Sequence, residues 1–259
     1  MVCSKFATKL KERVDKKIRI GAVSYLNTKP LIYGLENGMM KKQVDLLIDY
    51  PSKIAAMLLN EEIDVGLIPV AVIPEMKEHY IISDYCIGSE GEVASVCLFS
   101  EVPLYDIKTI LLDYQSRTSV ALLKVLIKEY WKLDVIFQNT SNGYQSEISG
   151  TTAGLIIGDR ALMQRKNSRF IFDLGEEWKN FTGLPFVFAA WISNKKLDQN
   201  FIKEFNETNK FGLDNLEKVV KENPFEVFDL HTYYTECISF DLNEIKKNGL
   251  HLFLKKIAK

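Results

Sequence analysis

A short polar segment at residues 24–28 carries the residue types that bind an anion. It reads Ser24-Tyr25-Leu26-Asn27-Thr28 and directly follows an apolar run. Pro30 suits the first turn of a helix, where its missing N–H costs nothing, and Asn27 or Thr28 can cap the free amides ahead of it. A polar turn at a helix N-terminus predicts a site for an anionic ligand. The alternative is an ordinary capped strand-to-helix junction.

A second segment of the same kind lies at residues 116–119 and reads Ser116-Arg117-Thr118-Ser119. The hydroxyl groups of this segment stand at the start of a predicted helix. Arg117 adds a fixed positive charge whose fork geometry matches a carboxylate. The segment therefore predicts a second anion-binding turn, and the alternative is again a capped helix, here with a surface arginine.

Other residues with chemical potential are scattered. His79, His231 and His251 lack metal-ligand spacing, so we interpret each as structural or solvent-facing. The cysteines, Cys3, Cys86, Cys97 and Cys237, show neither a zinc pattern nor a disulfide framework, and we expect free buried thiols. No metal site is predicted.

The first polar segment belongs to a β-α-β-α-β pattern. Strands are predicted at 18–23, 44–50 and 62–69, with helices starting near Leu31 and Pro51. A second α/β set begins at residue 107, with a strand over 107–113 and a helix over 120–131. In layered α/β sheets, ligands bind beyond the carboxyl ends of the strands, which is where both polar segments fall.

Two β-rich runs predict crossings between sheets, one at Val93–Phe99 and one at Phe186–Ile192. Ser95 lies in the first of them. We therefore expect two α/β lobes, the first formed by residues 1–97 and 190–259 and the second by 98–189. The segment 199–259 is helical by period and completes the first lobe.

The composition excludes some classes of protein. The chain has 259 residues, 47% of them hydrophobic and 26% charged, with a formal net charge of −1. This near-neutral balance argues against a broad nucleic-acid footprint. No run is long enough to span a bilayer and the basic N-terminus lacks an apolar core, so we expect no membrane partner and a cytoplasmic location. Residues 1–17 are predicted to be a short amphipathic helix or a frayed extension.

Four segments in register resemble the chorismate dehydratase family of the futalosine route to menaquinone, known as MqnA. They are SYLNTKPL at 24–31, SRTS at 116–119, IIGDRAL at 156–162 and DLGEEWKNFTGLPFVFAAW at 173–191. The resemblance spans nearly the whole chain after residue 17. It implies a periplasmic-binding-protein type II fold with two α/β lobes, a central cleft and two crossover strands.

The resemblance also implies a reaction and a set of residues. The reaction is loss of water from chorismate to give 3-[(1-carboxyvinyl)oxy]benzoate, with no redox cofactor. Asn27 and Ser95 correspond to the residues that the family places against the reacting substrate, and the remaining implied substrate-binding residues are Ser24, Tyr25, Thr28, Ser116, Arg117, Thr118 and Ser119.

The quoted motifs contain no histidine or glutamate that is an evident base. Asp159 is the one carboxylate in a motif turn, and we expect it to be structural. A substrate-assisted route is the other possibility, in which the enolpyruvyl carboxylate takes the proton and Asn27 orients it. The alternative function is a non-catalytic protein of the same fold that binds a small carboxylate. The sequence does not define the oligomeric state.

Overall fold

The computed structural model describes residues 17–258, and the helix or extension expected over residues 1–17 lies outside this range except for its last residue. The strands are β1 (Ile18–Val23), β2 (Val44–Asp49), β3 (Val65–Pro69), β4 (Tyr80–Ser89), β5 (Val96–Ser100), β6 (Thr109–Leu112), β7 (Ile136–Asn139), β8 (Thr152–Ile157), β9 (Phe170–Asp173), β10 (Phe186–Ser193) and β11 (Ser239–Asp241).

The helices lie between these strands and after them. They are α1 (Lys29–Asn37), α2 (Pro51–Leu59), α3 (Thr118–Val125), α4 (Asp159–Gln164), α5 (Leu174–Thr182), α6 (Gln199–Leu213), α7 (Leu216–Glu222), α8 (Leu230–Thr232) and α9 (Glu244–Ile257). Wider π-helical turns extend α3 over Leu126–Trp131 and α8 over Tyr233–Cys237.

Two mixed sheets form two lobes. The sheet of lobe 1 has the order β11-β4-β10-β3-β1-β2, and the sheet of lobe 2 has the order β7-β6-β8-β5-β9. In lobe 1, β1 pairs in parallel with β2 and β3, since α1 and α2 return the chain between them. In lobe 2, β6 pairs in parallel with β7 and β8. The predicted fold class, two α/β lobes, is confirmed.

The chain passes between the sheets twice. It leaves lobe 1 after Ser89 and enters lobe 2 at Val96, and it returns through α5 to β10. Asp173 fixes both passages, because its carboxylate caps α5 at Gly175 and Glu176 and also accepts from the N–H groups of Val93 and Ala94. The lobe boundaries at 97/98 and 189/190 fall inside β5 and β10 and stay a prediction.

The helical prediction for the end of the chain is incomplete. The three-residue strand β11 interrupts it and pairs with β4 at the edge of the first sheet. A strand of this length has too few residues to display an alternating pattern. The helix predicted over 120–131 starts two residues earlier, at Thr118, and ends in the π-helical turn.

Candidate functional site

A narrow cleft with a cavity volume of about 60 Å³ lies between the lobes. Lobe 1 contributes polar side chains from Tyr25, Asn27 and Thr28, and lobe 2 contributes those of Ser116, Thr118 and Ser119. Apolar residues form the rest of the wall, namely Val23, Pro51, Pro69, Ile87, Val93, Val96, Ile157, Phe188 and Ala189, together with Gly158. Among the described residues that line the cleft, none carries a formal charge.

Asn27 and Thr28 stand at the start of α1. The buried Thr28 hydroxyl donates to the Asn27 amide oxygen over 3.3 Å. Neither side chain caps the helix, since Thr28 occupies the N-cap position without a capping hydrogen bond. The segment therefore combines the positive end of the α1 dipole with an amide side chain on the cleft wall. The N–H groups of Thr28 and Lys29 are bonded to the carbonyl oxygens of Tyr25 and Leu26.

The turn before α3 forms the opposite wall. Ser116 accepts a hydrogen bond from the Ser119 N–H over 3.1 Å, and the buried Thr118 hydroxyl accepts one from the Ala71 N–H over 3.2 Å. Since Ala71 belongs to lobe 1, Thr118 joins the two lobes at the cleft. Ser116, Thr118 and Ser119 are therefore brought together with Asn27 and Thr28 as the sequence predicts.

Tyr25 belongs to lobe 1, and its side chain contacts lobe 2. Its hydroxyl donates to the Gln115 side-chain oxygen, and its ring lies on Gly158 so closely that a Cβ there would be 2.9 Å from it. Gly158 has φ +64° and ψ −148°, a conformation that residues with a side chain rarely adopt. Burial raises the pKa of the Tyr25 hydroxyl, and the charge of Arg160 opposes that rise.

Ser95 is fully buried just behind the cleft wall rather than on it. The Tyr233 hydroxyl donates to its Oγ over 2.6 Å, and its carbonyl oxygen accepts from the Gly158 N–H over 2.8 Å. Because the phenol serves as donor, the Ser95 hydroxyl keeps its own proton to donate elsewhere. Ser24 is exposed and outside the cleft lining.

Arg117 is not among the residues that line the cleft. Its Nη1 atom contacts both carboxylate oxygens of Glu75, over 2.9 and 2.8 Å, and both side chains are about half exposed. Glu75 belongs to lobe 1, so this ion pair also joins the lobes. The role of Arg117 as a carboxylate ligand stays a prediction.

Asp159 of lobe 2 forms a hydrogen bond with the backbone of lobe 1. Its carboxylate accepts from the Leu26 N–H over 3.0 Å, one residue before Asn27. Burial raises the pKa of this carboxyl, and the Leu26 N–H and the Lys29 charge oppose the rise. The contact agrees with the structural role expected of Asp159.

A buried polar network that the sequence does not predict lies behind Tyr25. The guanidinium of Arg160 pairs with Asp113 over 2.8 Å, and Asp113 also accepts from the Tyr144 hydroxyl over 2.9 Å. Arg160 belongs to the IIGDRAL motif and Asp113 ends the β6 segment, but they are 47 residues apart. No local pattern in the sequence pairs them.

Two features are absent from the described residues. Over residues 17–258, no helix combines the length and the apolar character needed to cross a membrane. The same part of the chain contains no cluster of three histidine, cysteine, aspartate or glutamate residues that could hold a metal ion.

Comparison with known proteins places the chain among relatives. A family model described as "Menaquinone biosynthesis" matches residues 18–259. The chain belongs to this menaquinone-biosynthesis family. A chorismate dehydratase of Campylobacter jejuni is 28% identical over 91% of this chain and 95% of its own length. A chorismate dehydratase of Thermus thermophilus is 26% identical over 92% of this chain and 94% of its own.

The fold of this chain is similar to that of a solved structure. A Candida albicans gene product with the generic periplasmic-binding-protein fold superposes with a TM-score of 0.60 at 13% identity, covering 94% of this chain and 90% of that one. The similarity shows the fold alone. Together with the family match, it confirms the resemblance that the four motifs indicate.

Proposed function

We propose that the chain is a chorismate dehydratase, which converts chorismate to 3-[(1-carboxyvinyl)oxy]benzoate and water. The observation that carries this proposal is the convergence of two family motifs, 24–31 and 116–119, on one cleft. The two chorismate dehydratases matched over more than 90% of the chain support the same reaction. The predicted cytoplasmic location stays a prediction.

The cleft suits a ligand with an apolar ring and anionic ends. Phe188, Ile87 and Val96 offer apolar surface for the ring. The start of α1 and the turn before α3 face each other and offer neutral donors to the carboxylates. Helix N-termini favour negative charge, so a dianion is held without a charged side chain on the cleft wall.

The reaction removes the C3 hydrogen and the C4 hydroxyl of chorismate, and aromatisation of the ring drives it. Among the described residues that line the cleft there is no carboxylate or imidazole to act as base. This supports the substrate-assisted route, in which the enolpyruvyl carboxylate takes the C3 proton and gives it to the departing C4 hydroxyl, which leaves as water. We assign to Asn27 the role of orienting that carboxylate.

Ser95 has a second role in this proposal. Held by Tyr233, it keeps a hydroxyl proton to donate, and its chain neighbours Val93 and Val96 line the cleft. There it can hydrogen-bond the oxygen on which charge develops. Ser116, Thr118 and Ser119 hold the other carboxylate, and Arg117 joins them when it leaves Glu75.

Incubation of the purified protein with chorismate tests the proposal. We expect stoichiometric formation of 3-[(1-carboxyvinyl)oxy]benzoate, followed by chromatography and by the aromatic absorbance of the product. Tight binding of chorismate without turnover would favour the non-catalytic carboxylate-binding alternative. Failure to bind either compound would contradict both functions.

A further inference from the structure

Arg160 is the most unusual charged group near the cleft. It lies in the first turn of α4, where its Nη2 atom donates to both oxygens of Asp113, over 3.0 and 2.8 Å, and to the Gln115 side-chain oxygen over 3.0 Å. Its Nε and Nη1 atoms are buried and have no hydrogen-bond partner. Buried donors without an acceptor are rare in folded proteins and call for an explanation, such as a catalytic role or a bound water or ion.

The Asp113 carboxylate binds other donors besides Arg160. The carboxylate accepts from the Tyr144 hydroxyl over 2.9 Å and from the Ile157 N–H over 3.2 Å, in addition to Arg160. The Gln115 N–H donates to it as well, over 2.9 Å, so its negative charge is shared among four partners. The Arg160 guanidinium retains positive charge and unused N–H groups, and the exposed Tyr114 ring lies 5.4 Å from its central carbon.

Tyr25 connects this charge to the cleft. Its hydroxyl donates to the same Gln115 oxygen that accepts from Arg160, and its ring is part of the cleft wall. Only the Tyr25–Gln115 layer therefore separates the guanidinium from the space in which a ligand would lie. The lining side chains themselves are uncharged, and Arg160 is paired with Asp113. Arg160 acts on the Tyr25 hydroxyl more strongly than Asp113 does, so the pair presents its positive end to this side of the cleft.

We propose that Arg160 determines specificity for a dianion by attracting the ligand's second carboxylate to the Tyr25 end of the cleft. The inference rests on the proposed function, since chorismate and its product each carry two carboxylates. Arg160 acts through Tyr25 and Gln115 and is a positioning residue. It holds Gln115, which in turn holds the Tyr25 ring in the cleft wall, and it supplies the positive charge behind that ring.

Binding of two ligands to four proteins tests the inference. The ligands are the dianionic product and 3-hydroxybenzoate, which lacks the second carboxylate, and the proteins are the wild type, Arg160→Met, Arg160→Lys and Arg165→Met. Arg165 is the matched control, because it is a partly buried arginine that pairs with Glu92 and the Ala94 carbonyl instead of Gln115.

We expect Arg160→Met to weaken product binding at least tenfold and to change 3-hydroxybenzoate binding less than twofold. Arg160→Lys should retain part of the preference, and Arg165→Met should retain all of it. Equal weakening of both ligands, or the same loss in Arg165→Met, would overturn the inference. Should Arg160→Met not fold, Arg160→Lys and Tyr25→Phe decide through the same ratio of affinities.

Different results would contradict the proposed function and the proposed role of Arg160. If the wild type neither binds nor converts chorismate, the proposed function is wrong. If the wild type converts chorismate but Arg160→Met keeps the ratio of affinities for the two ligands, only the role of Arg160 is wrong.

Discussion

Asn27 is the side chain on which the proposed chemistry depends most. It faces the cleft from the turn before α1 and accepts from Thr28, which leaves its amide N–H groups for the ligand. We expect Asn27→Ala to lower kcat by about 100-fold with product affinity nearly unchanged, because orientation acts in the transition state. Asn27→Asp should lose affinity as well, since the new carboxylate repels a dianion.

Single-turnover kinetics and product titration measure the two effects. Asn37→Ala is the control, because Asn37 lies exposed at the other end of α1. Equal losses of kcat and product affinity in Asn27→Ala would assign Asn27 to ground-state binding instead.

Substitutions of Arg117 and Glu75 should change KM in opposite directions. If Arg117 joins the carboxylate cradle, Glu75 competes with the ligand for it across the lobes. Arg117→Ala should then raise KM about tenfold with little change in kcat, as expected when a charge-assisted hydrogen bond is lost. Glu75→Gln should lower KM by about two- to fivefold, since an exposed pair stabilises by about 1 kcal/mol at most.

Steady-state kinetics on the two single variants and on the double variant check this prediction. A rise of KM in both single variants would mean that the pair serves only to join the lobes.

The individual side chains could be predicted only where the chain itself places them. Asn27, Thr28, Ser116 and Thr118 follow strands in the sequence, and sheet geometry takes them to the cleft. The partner of Arg117 is 42 residues away in the other lobe, and pairing at that range depends on how the lobes dock. For the same reason, the sequence does not predict the hydrogen bond from Tyr233 that holds Ser95.

At the scale of elements, the position of α1 depends on its contact with α6. A Cβ on Gly212 of α6 would overlap the carbonyl oxygen of Pro30 in the first turn of α1. We expect Gly212→Ala to push the helices apart, to lower the free energy of unfolding by about 1–3 kcal/mol and to raise KM, because α1 carries Thr28.

Urea unfolding and KM measurements check the prediction. Gly91→Ala is the control, since a Cβ at Gly91 meets nothing within 4 Å. Destabilisation without any change in KM would show that the start of α1 is held independently of α6.

Asp173 makes the junction between the lobes sensitive to pH. Burial raises the pKa of this carboxyl to about 6, although the N–H groups of Val93, Glu176 and Ala94 favour its charged form. Between the ordinary value of 3.8 and about 6, the folded state binds the proton more tightly than the unfolded state. The contribution of Asp173 to stability is therefore fully present below the ordinary value and is lost as the pH rises through 6.

We expect the difference in unfolding free energy between the wild type and Asp173→Asn to fall by about 2 kcal/mol from pH 4 to pH 7. Urea unfolding at several pH values measures it. A difference that stays constant over this range would show that the backbone donors hold the carboxylate charged throughout.

Most elements could be predicted because they obey simple periods. The strands of lobe 1 and the helices after them carry apolar residues at the spacing of two or of three to four residues. Short β11 and the π-helical end of α3 have no such signal, since tertiary contacts decide them. The points where the chain changes sheets depend on Asp173, whose backbone partners are about 80 residues away.

At the scale of the whole molecule, the cleft is closed by contacts from both lobes. Tyr25 meets Gln115, Leu26 meets Asp159, and Ala71 meets Thr118. Each contact pairs a residue of lobe 1 with one of the turns that follow β6 and β8. A ligand held by both lobes therefore adds to contacts that already favour closure, while a ligand held by one lobe does not.

This leads to a prediction about how binding stabilises the protein. The product at 100 times its dissociation constant should add about 2.7 kcal/mol to the free energy of unfolding, seen as a rise in melting temperature. Hydrogen exchange should slow at the start of α1 and at the start of α3 together, because the ligand bridges the two helix N-termini. Benzoate, with one carboxylate, should protect one helix start only. Protection by the product confined to lobe 1 would mean that the turn at 116–119 does not hold the ligand, and that the cradle assigned to lobe 2 is wrong even if chorismate is the substrate.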